Sequence, residues 1–231
     1  SAASDVYKRQ AIKEANMSVT LEQLRAEITT LKAEAAAGRR ALDELEIQKV
    51  QSLYSHYYQV GLRAEVPKLF AQHTPGVSLE VEDSGVYTGI EGVTRFWHEV
   101  FGGNNPFSPG WMAVHMTCNP VIEIDKNGSM ARGVWHSHGF CTLPMRGPIP
   151  FICSGKYDMA YVKEDGRWKI FTFLYRQIFM SPYHQGWVEA PSVGSIGANP
   201  KSSPDKPMTF HTPYTPDKPY YPQPDVPEPF D

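Results

Sequence analysis

The sequence has few cysteines, no long apolar run and little net charge, and each absence argues against a class of protein. The three cysteines, Cys118, Cys141 and Cys153, lack the spacing of a metal site. They favour buried thiols in a reducing compartment, so a cytoplasmic location is expected. No segment approaches the ~18 apolar residues of a membrane-spanning helix. A formal net charge of −3 without a basic stripe argues against nucleic acid or a membrane surface as a partner.

The N-terminal part predicts a helix with an uncovered apolar face. Residues 1–16 have little apolar period and are expected to be a disordered leader, with Met17 as the natural start. In residues 17–43, apolar side chains recur at alternating spacings of three and four, which predicts association through a heptad stripe. We therefore expect a homo-oligomer, a dimer or a trimer. The stripe and its continuation comprise Leu21, Leu24, Ile28, Leu31, Ala35, Gly38, Leu42 and Leu45.

This region is predicted to form two helices rather than one. Ser18 or Thr20 would cap the first helix near 19–37. A break is expected around Gly38, followed by a second helix near 40–62 that enters the domain core.

The second half predicts long antiparallel strands. Alternating apolar residues are bounded by turn signals such as Asn127-Gly128. Helices followed by a meander are typical of an α+β domain, here 44–190. The proline-rich segment 191–231 keeps aromatic residues, which predicts an extended arm packed on the domain or on a neighbouring subunit. The long strands are expected at 112–124, 130–143, 151–162 and 168–179, with loops at 102–110 and 144–150.

Four short motifs occur in the order and spacing of a known family. Together they resemble the SnoaL-like branch of the NTF2-like superfamily over about residues 44–180. The resemblance implies an α+β, cone-shaped fold, in which a curved antiparallel sheet wraps on helices, with an N-terminal helical extension and a Pro-rich C-terminal arm outside it. The motifs are Gly89-Ile-Glu-Gly-Val-Thr-Arg-Phe-Trp, His115-Met-Thr-Cys-Asn-Pro-Val-Ile-Glu-Ile, Ala131-Arg-Gly-Val-Trp and Glu164-Asp-Gly-Arg-Trp-Lys-Ile.

Histidines are the leading catalytic candidates. Strand alternation places His136 and His138 on one face together with Phe140. If the Asn127-Gly128 turn sets the register, position i pairs with about 255 − i, and His115 falls near Phe140, on the His138 face or one residue off it. An imidazole can exchange a proton near neutral pH, which suits an elimination.

The resemblance assigns roles to these histidines. His115 matches the catalytic histidine of scytalone dehydratase, and His136 or His138 matches the second one. Two other interpretations stay open: each histidine could be structural, or the three imidazoles could bind zinc. Family members usually work without a metal, so no cofactor is expected.

The dehydratase-like relatives carry an aspartate at the end of the first core helix, and this chain does not. The stretch reads Tyr57-Tyr58-Gln59-Val60-Gly61, so Tyr58 is the candidate catalytic hydroxyl. Arg176 is a candidate on the last strand, and Lys156 and Asp158 are alternatives if a further acid or base is needed. The aromatic residues expected to bind substrate are Tyr54, Tyr57, Trp97, Trp111, Phe140, Tyr157 and Tyr175.

Abundant aromatic residues favour a small aromatic substrate. Among relatives, the chain most resembles cofactor-independent lyases that remove formaldehyde from lignin-derived diarylpropanes to leave stilbenes, so we expect a metal-independent lyase. The alternatives are a dehydratase or isomerase of an aromatic or polycyclic substrate, and a non-catalytic ligand-binding or assembly module.

Overall fold

The computed structural model describes residues 4–10, 20–103, 109–142, 149–191, 202–209 and 212–230. The chain divides into two compact units, Ser1–Leu42 and Asp43–Asp231. The predicted start at Met17, the cap at Ser18, most of the two predicted loops and the beginning of the C-terminal arm lie outside the described residues.

The first unit is helical. Residues 4–10 form helix α1 and are exposed; the expectation that 1–16 is a leader stays a prediction. Helix α2, Leu21–Gln59, begins after Thr20. Thr20 caps it as expected: its hydroxyl accepts from the Gln23 N–H at 3.2 Å, while the Gln23 side chain accepts from the Thr20 N–H at 2.8 Å.

The predicted break around Gly38 is wrong, because α2 is continuous from Leu21 to Gln59. An interior glycine weakens a helix by only ~1 kcal/mol relative to alanine. Strong helix formers at Ala35, Ala36 and Ala37 precede it, so the helix passes through Gly38 instead of ending there.

The second unit contains a six-stranded curved sheet in the order β2-β1-β6-β5-β4-β3. Neighbouring strands are antiparallel except for β1 and β6, which are parallel. This confirms the α+β fold class and the long meander. The strands are β1 Ser78–Val81, β2 Val86–Thr88, β3 Met112–Ile124, β4 Met130–Thr142, β5 Pro150–Glu164 and β6 Arg167–Pro182.

The helices between Arg63 and Val100 pack on one face of the sheet, which we call the inner face. A 3₁₀ helix covers Arg63–Leu69, and α3 covers Gly89–Arg95 and continues as a π-helical turn through Phe96–Val100. The short helix α4, Gly186–Glu189, instead packs through Trp187 on Phe179, which lies on the opposite face with Ser154. Among the described helices, none is both long enough and apolar enough to cross a membrane. The core joins the helices to the inner face through Ile47, Tyr54, Val66, Phe70, Leu79, Phe96, Trp97, Tyr157, Met159, Ile170 and Phe173.

A bulge in β3 changes the pairing of the first hairpin. Near the turn, Val121 pairs with Val134, as the turn-based register predicts. The register then shifts between Cys118 and Val121, so that Cys118 pairs with His136. Asn119 within the bulge has a φ of 50°, and the next residue is Pro120, which cannot donate to the ladder.

Described parts of the C-terminal arm, which belongs to the second unit, pack on the sheet. Lys206 forms a bridge with Val86 at the free edge of β2. Further along, the carbonyl oxygens of Pro222 and Pro224 accept hydrogen bonds from Lys156. The arm therefore covers a sheet edge and part of the outer face, the face opposite the inner one.

Candidate functional site

The structure separates the three histidines that the sequence placed together. His115 pairs with Gly139, which puts its side chain on the inner face with Ser137. His136 and His138 alternate with Ser137 and therefore lie on the outer face. The expected shared face is wrong because the β3 bulge moves the register by one residue, and a one-residue shift exchanges the two faces of a strand.

His115 is the centre of a hydrogen-bonded group on the inner face. Its Nε2 atom is hydrogen-bonded to the Tyr157 hydroxyl and lies 3.0 Å from the Ser137 hydroxyl oxygen. The Tyr157 hydroxyl is in turn 2.9 Å from the Tyr54 hydroxyl. The result is a chain of exchangeable protons that runs from the imidazole across β5 to helix α2.

Helix α2 holds the backbone of His115 in place. The Ser55 hydroxyl and the Gln59 side-chain amide both donate to the His115 carbonyl oxygen, the second at 3.1 Å. Gln59 belongs to the stretch in which dehydratase-like relatives carry an aspartate, so that end of the helix here positions β3 and presents no carboxylate.

The surroundings keep this group neutral at physiological pH. Burial lowers the pKa of His115 to about 4 and raises the pKa of Tyr54, Tyr157 and Tyr175 above 10. His115 nevertheless keeps part of its surface accessible. An uncharged imidazole beside uncharged phenols can accept one proton and supply another.

Aromatic rings enclose His115. The rings of Tyr58 and Tyr175 pack edge-on against its imidazole at centroid distances of 5.4 and 5.7 Å. The ring centroid of Trp97 lies 5.8 Å from that of Tyr54, and Trp97 is 1% exposed. Its indole N–H has no hydrogen-bond partner among the described residues, which is unusual for a buried donor.

A buried arginine lies at the edge of this enclosure. The Arg63 guanidinium carbon sits 5.2 Å from the ring centroids of both Tyr58 and Trp111 and 5.7 Å from that of Phe101. Its Nη1 donates to the Phe101 carbonyl oxygen at 2.9 Å, while Nε has no partner among the described residues. Trp111, an expected substrate-binding residue, therefore contacts the site through Arg63.

Four of the predicted site residues lie on the outer face. The rings of His136 and His138 stack at 6.4 Å with an interplanar angle of 9°, and Phe140 is 42% exposed. Arg176 is opposite Lys156 and 3.9 Å from Asp158. None of these side chains shares a face with His115, so the expected placement of His136, His138, Phe140 and Arg176 in one pocket with His115 is wrong.

Two further expectations have different outcomes. Tyr57 packs against the core from a half-buried position and belongs to no aromatic pair with His115 in the described structure. Asp158 is an outer-face carboxylate whose pKa is raised by burial, with Arg176 opposing the shift. It therefore cannot act on a group bound at His115.

The structure does not assemble the three-imidazole zinc set that the sequence left open, because His115 and the His136–His138 pair are on opposite faces. Within the described residues, His73, Glu164 and Asp165 have metal-ligand spacing. Glu164, however, already accepts from the N–H groups of Gln72, His73 and Thr74. Burial would raise its pKa, but these hydrogen bonds lower it to about 2, as expected for a carboxylate that caps a loop.

Sequence reasoning missed Ser137, Arg63 and Glu82. Ser137 lies between the two outer-face histidines in β4. Because side chains alternate along a strand, Ser137 could have been assigned to the inner face once the bulge was known. Glu82 follows β1, is 8% exposed and has a φ of 53°. Burial raises the pKa of Tyr54, Tyr58 and Tyr175, and the negative charge of Glu82 adds to the shift in each case. No motif in the sequence indicates this residue.

A curved six-stranded sheet with helices packed on its inner face is the architecture of the NTF2-like class of α+β domains. The sequence model of the SnoaL-like domain family matches residues 39–173, more than half of the chain, and the protein belongs to that family. No curated protein matches the chain.

Solved structures share the fold at low sequence identity. A putative scytalone dehydratase from Novosphingobium aromaticivorans is 19% identical with a TM-score of 0.54, and the match covers 69% of this chain and 98% of that one. A hexachlorocyclohexane dehydrochlorinase, LinA-type3 from Novosphingobium barchaimii, is 19% identical with a TM-score of 0.52, covering 62% and 91%. These matches support the fold, and they carry no substrate over to this chain.

Proposed function

We propose that the protein is a cofactor-independent enzyme that catalyses an elimination on a small aromatic substrate, with His115 as the proton acceptor. The observation that carries the proposal is the inner-face chain His115–Tyr157–Tyr54 inside an aromatic enclosure. Names of fold relatives that include a dehydratase and a dehydrochlorinase agree with it, since both describe eliminations.

The electrostatics favour a reaction in which proton uptake and proton release are coupled. Because the pKa of His115 is about 4, the protonated imidazolium is unfavourable at pH 7. An elimination removes one proton from the substrate and returns one to the leaving group, so the site regains its neutral state within a turnover. We assign the supply of the second proton to Tyr157, whose hydroxyl is hydrogen-bonded to Nε2 of His115.

The unpaired donors favour a substrate that bears oxygen atoms. The buried indole N–H of Trp97 and the Nε–H of Arg63 have no acceptor in the described structure. Methoxy, phenol or carbonyl oxygens on an aromatic substrate would satisfy them. An apolar hydrocarbon would leave both donors unpaired.

The more specific form of the proposal is release of formaldehyde from a 1,2-diarylpropane-1,3-diol. His115 takes the proton of the terminal hydroxyl, the carbon–carbon bond breaks to release formaldehyde, and its electron pair forms the stilbene double bond. The benzylic hydroxyl leaves as water with a proton from the tyrosine relay. One diol thus yields one stilbene, one formaldehyde and one water.

A two-substrate assay tests the proposal. The protein is incubated with a diarylpropanediol and, separately, with a cyclic aromatic β-hydroxyketone that can lose only water, and products are measured by mass spectrometry and a formaldehyde assay. Formaldehyde with stilbene supports the specific form, and water loss alone supports a dehydratase. Tyr157→Phe should lower either turnover roughly a hundredfold. Binding of both compounds without turnover would overturn the proposal in favour of a binding module.

A further inference from the structure

Helix α2 carries an apolar stripe that the described structure leaves uncovered. Its six large side chains are between 43% and 65% exposed, an unusual amount of exposed apolar surface for one helix. They occupy the first and fourth positions, a and d, of successive heptads. These residues are Leu21, Leu24, Ile28, Leu31, Leu42 and Leu45. Ala35 and Gly38 occupy the stripe between Leu31 and Leu42.

The protein's own core uses the other side of α2. Ile47, Gln51 and Tyr54 are at most 5% exposed, and in heptad terms they fall at positions f, c and f. Those positions lie opposite the a/d seam on a helix. Leu45, only two residues before Ile47, is 61% exposed. The stripe is therefore available to a partner while the core face is occupied.

The glutamates beside the stripe have no partner within the helix. Glu27 and Glu34 are at position g, and Lys32 and Arg39 are at position e. Ion pairs along one helix join residues three or four apart, and neither glutamate has a basic residue at those spacings. In the described part of the chain none of these four side chains forms an ion pair, and all are exposed.

We propose that residues 21–45 of α2 pair with the same segment of a second copy as a parallel, in-register, two-stranded coiled coil. In that arrangement position g of one helix faces the following e of the other. Glu27 then meets Lys32 of the second copy, and Glu34 meets Arg39, so two ion pairs form on each side of the seam. An antiparallel pair would bring g beside g and e beside e, which places like charges together. Ile28 at a, between Leu24 and Leu31 at d, favours two strands in that heptad, and no d position carries the isoleucine that favours three or four.

Charge exchange provides the test. One full-length variant carries Glu27→Lys and Glu34→Lys, and the other carries Lys32→Glu and Arg39→Glu. Each variant alone should dimerise at least tenfold more weakly than wild type in analytical ultracentrifugation, because every e–g contact becomes repulsive. An equimolar mixture should recover wild-type affinity as a heterodimer. Ala26→Lys with Ala33→Lys, both on position f and neither three nor four residues from the four charges, is the control that adds charge away from the seam and should dimerise normally.

The outcomes separate the alternatives. Wild-type protein should sediment at twice the 26.0 kDa chain mass. A wild-type monomer, a trimer, or variants that dimerise as well as wild type would overturn the proposal, the last by placing the interface elsewhere. Circular dichroism on each variant checks that α2 is intact, and rescue in the mixture excludes unfolding as the cause of weaker association.

Discussion

Acidification should destabilise the protein through His115 in a way that can be calculated from its environment. The pKa of this imidazole is about 4 in the folded protein, against 6.5 for a free side chain. Between these two values the unfolded chain binds the proton and the folded protein does not, so stability rises with pH. The stability that depends on a neutral His115 is fully present above pH 6.5 and is lost as the pH falls towards 4.

The expected size follows from the same two values. At pH 5 linkage gives a loss of about 2 kcal/mol relative to pH 8, and since part of the His115 surface is accessible to water we expect about 1–2 kcal/mol. Urea unfolding at half-unit pH steps on wild type and His115→Gln measures it. The difference in stability between the two proteins should shrink by that amount as the pH falls from 8 to 5.

The control is His138→Gln, a substitution of an exposed imidazole on the outer face, measured at the same pH steps. An identical slope for wild type and His115→Gln would refute the reasoning, because it would show that the His115 imidazole is not desolvated in the folded protein.

Three further substitutions test the helix, a buried hydrogen bond and the strand packing described above. Gly38→Ala should raise the free energy of unfolding by ~0.5–1 kcal/mol, since a built methyl group meets nothing within 4 Å and alanine favours a helix; a loss of stability in urea unfolding would argue for a hinge there. Tyr161→Phe should cost ~1–3 kcal/mol by urea unfolding, because it leaves the Trp135 indole N–H, now 3.0 Å from the hydroxyl, without an acceptor; a neutral result would indicate that water replaces the hydroxyl. Gly139→Ala should cost ~1–3 kcal/mol by thermal unfolding, since its methyl group would lie 2.7 Å from the Cys153 sulfur, and an unchanged melting temperature would show that the strand can move.

The order and type of the elements could be predicted from the sequence because alternation and turn residues are local signals. Strands β3 and β4 extend over Met112–Ile124 and Met130–Thr142, within a residue of their predicted limits. The Asn127-Gly128 turn also predicted the pairing nearest to it. These features depend on neighbouring residues only, so tertiary structure did not alter them.

The composition of the site could not be predicted in the same way, because it depends on a single inserted residue. The pair Asn119-Pro120 could have indicated the bulge in β3, since a proline inside a strand often marks one. If the register shift at the bulge is ignored, the three histidines fall on one face. With the shift included, His115 lies on the same face as Ser137 and Tyr157. Tyr54 and Tyr175 lie near His115 on the inner face, and their role in substrate binding stays a prediction. Glu82 depends on a strained backbone that no motif encodes.

The central claim is that proton transfer takes place on the inner face at His115 and not at the outer-face histidines. The most direct measurement is kcat for His115→Gln and His138→Gln on the substrate that the two-substrate assay identifies, with each rate expressed per folded molecule. The account predicts that His115→Gln lowers kcat ~10²–10⁴-fold, while His138→Gln stays within about twofold of wild type, the variation expected of an exposed site remote from the chemistry. Full activity in His115→Gln, or a large loss confined to His138→Gln, would contradict it.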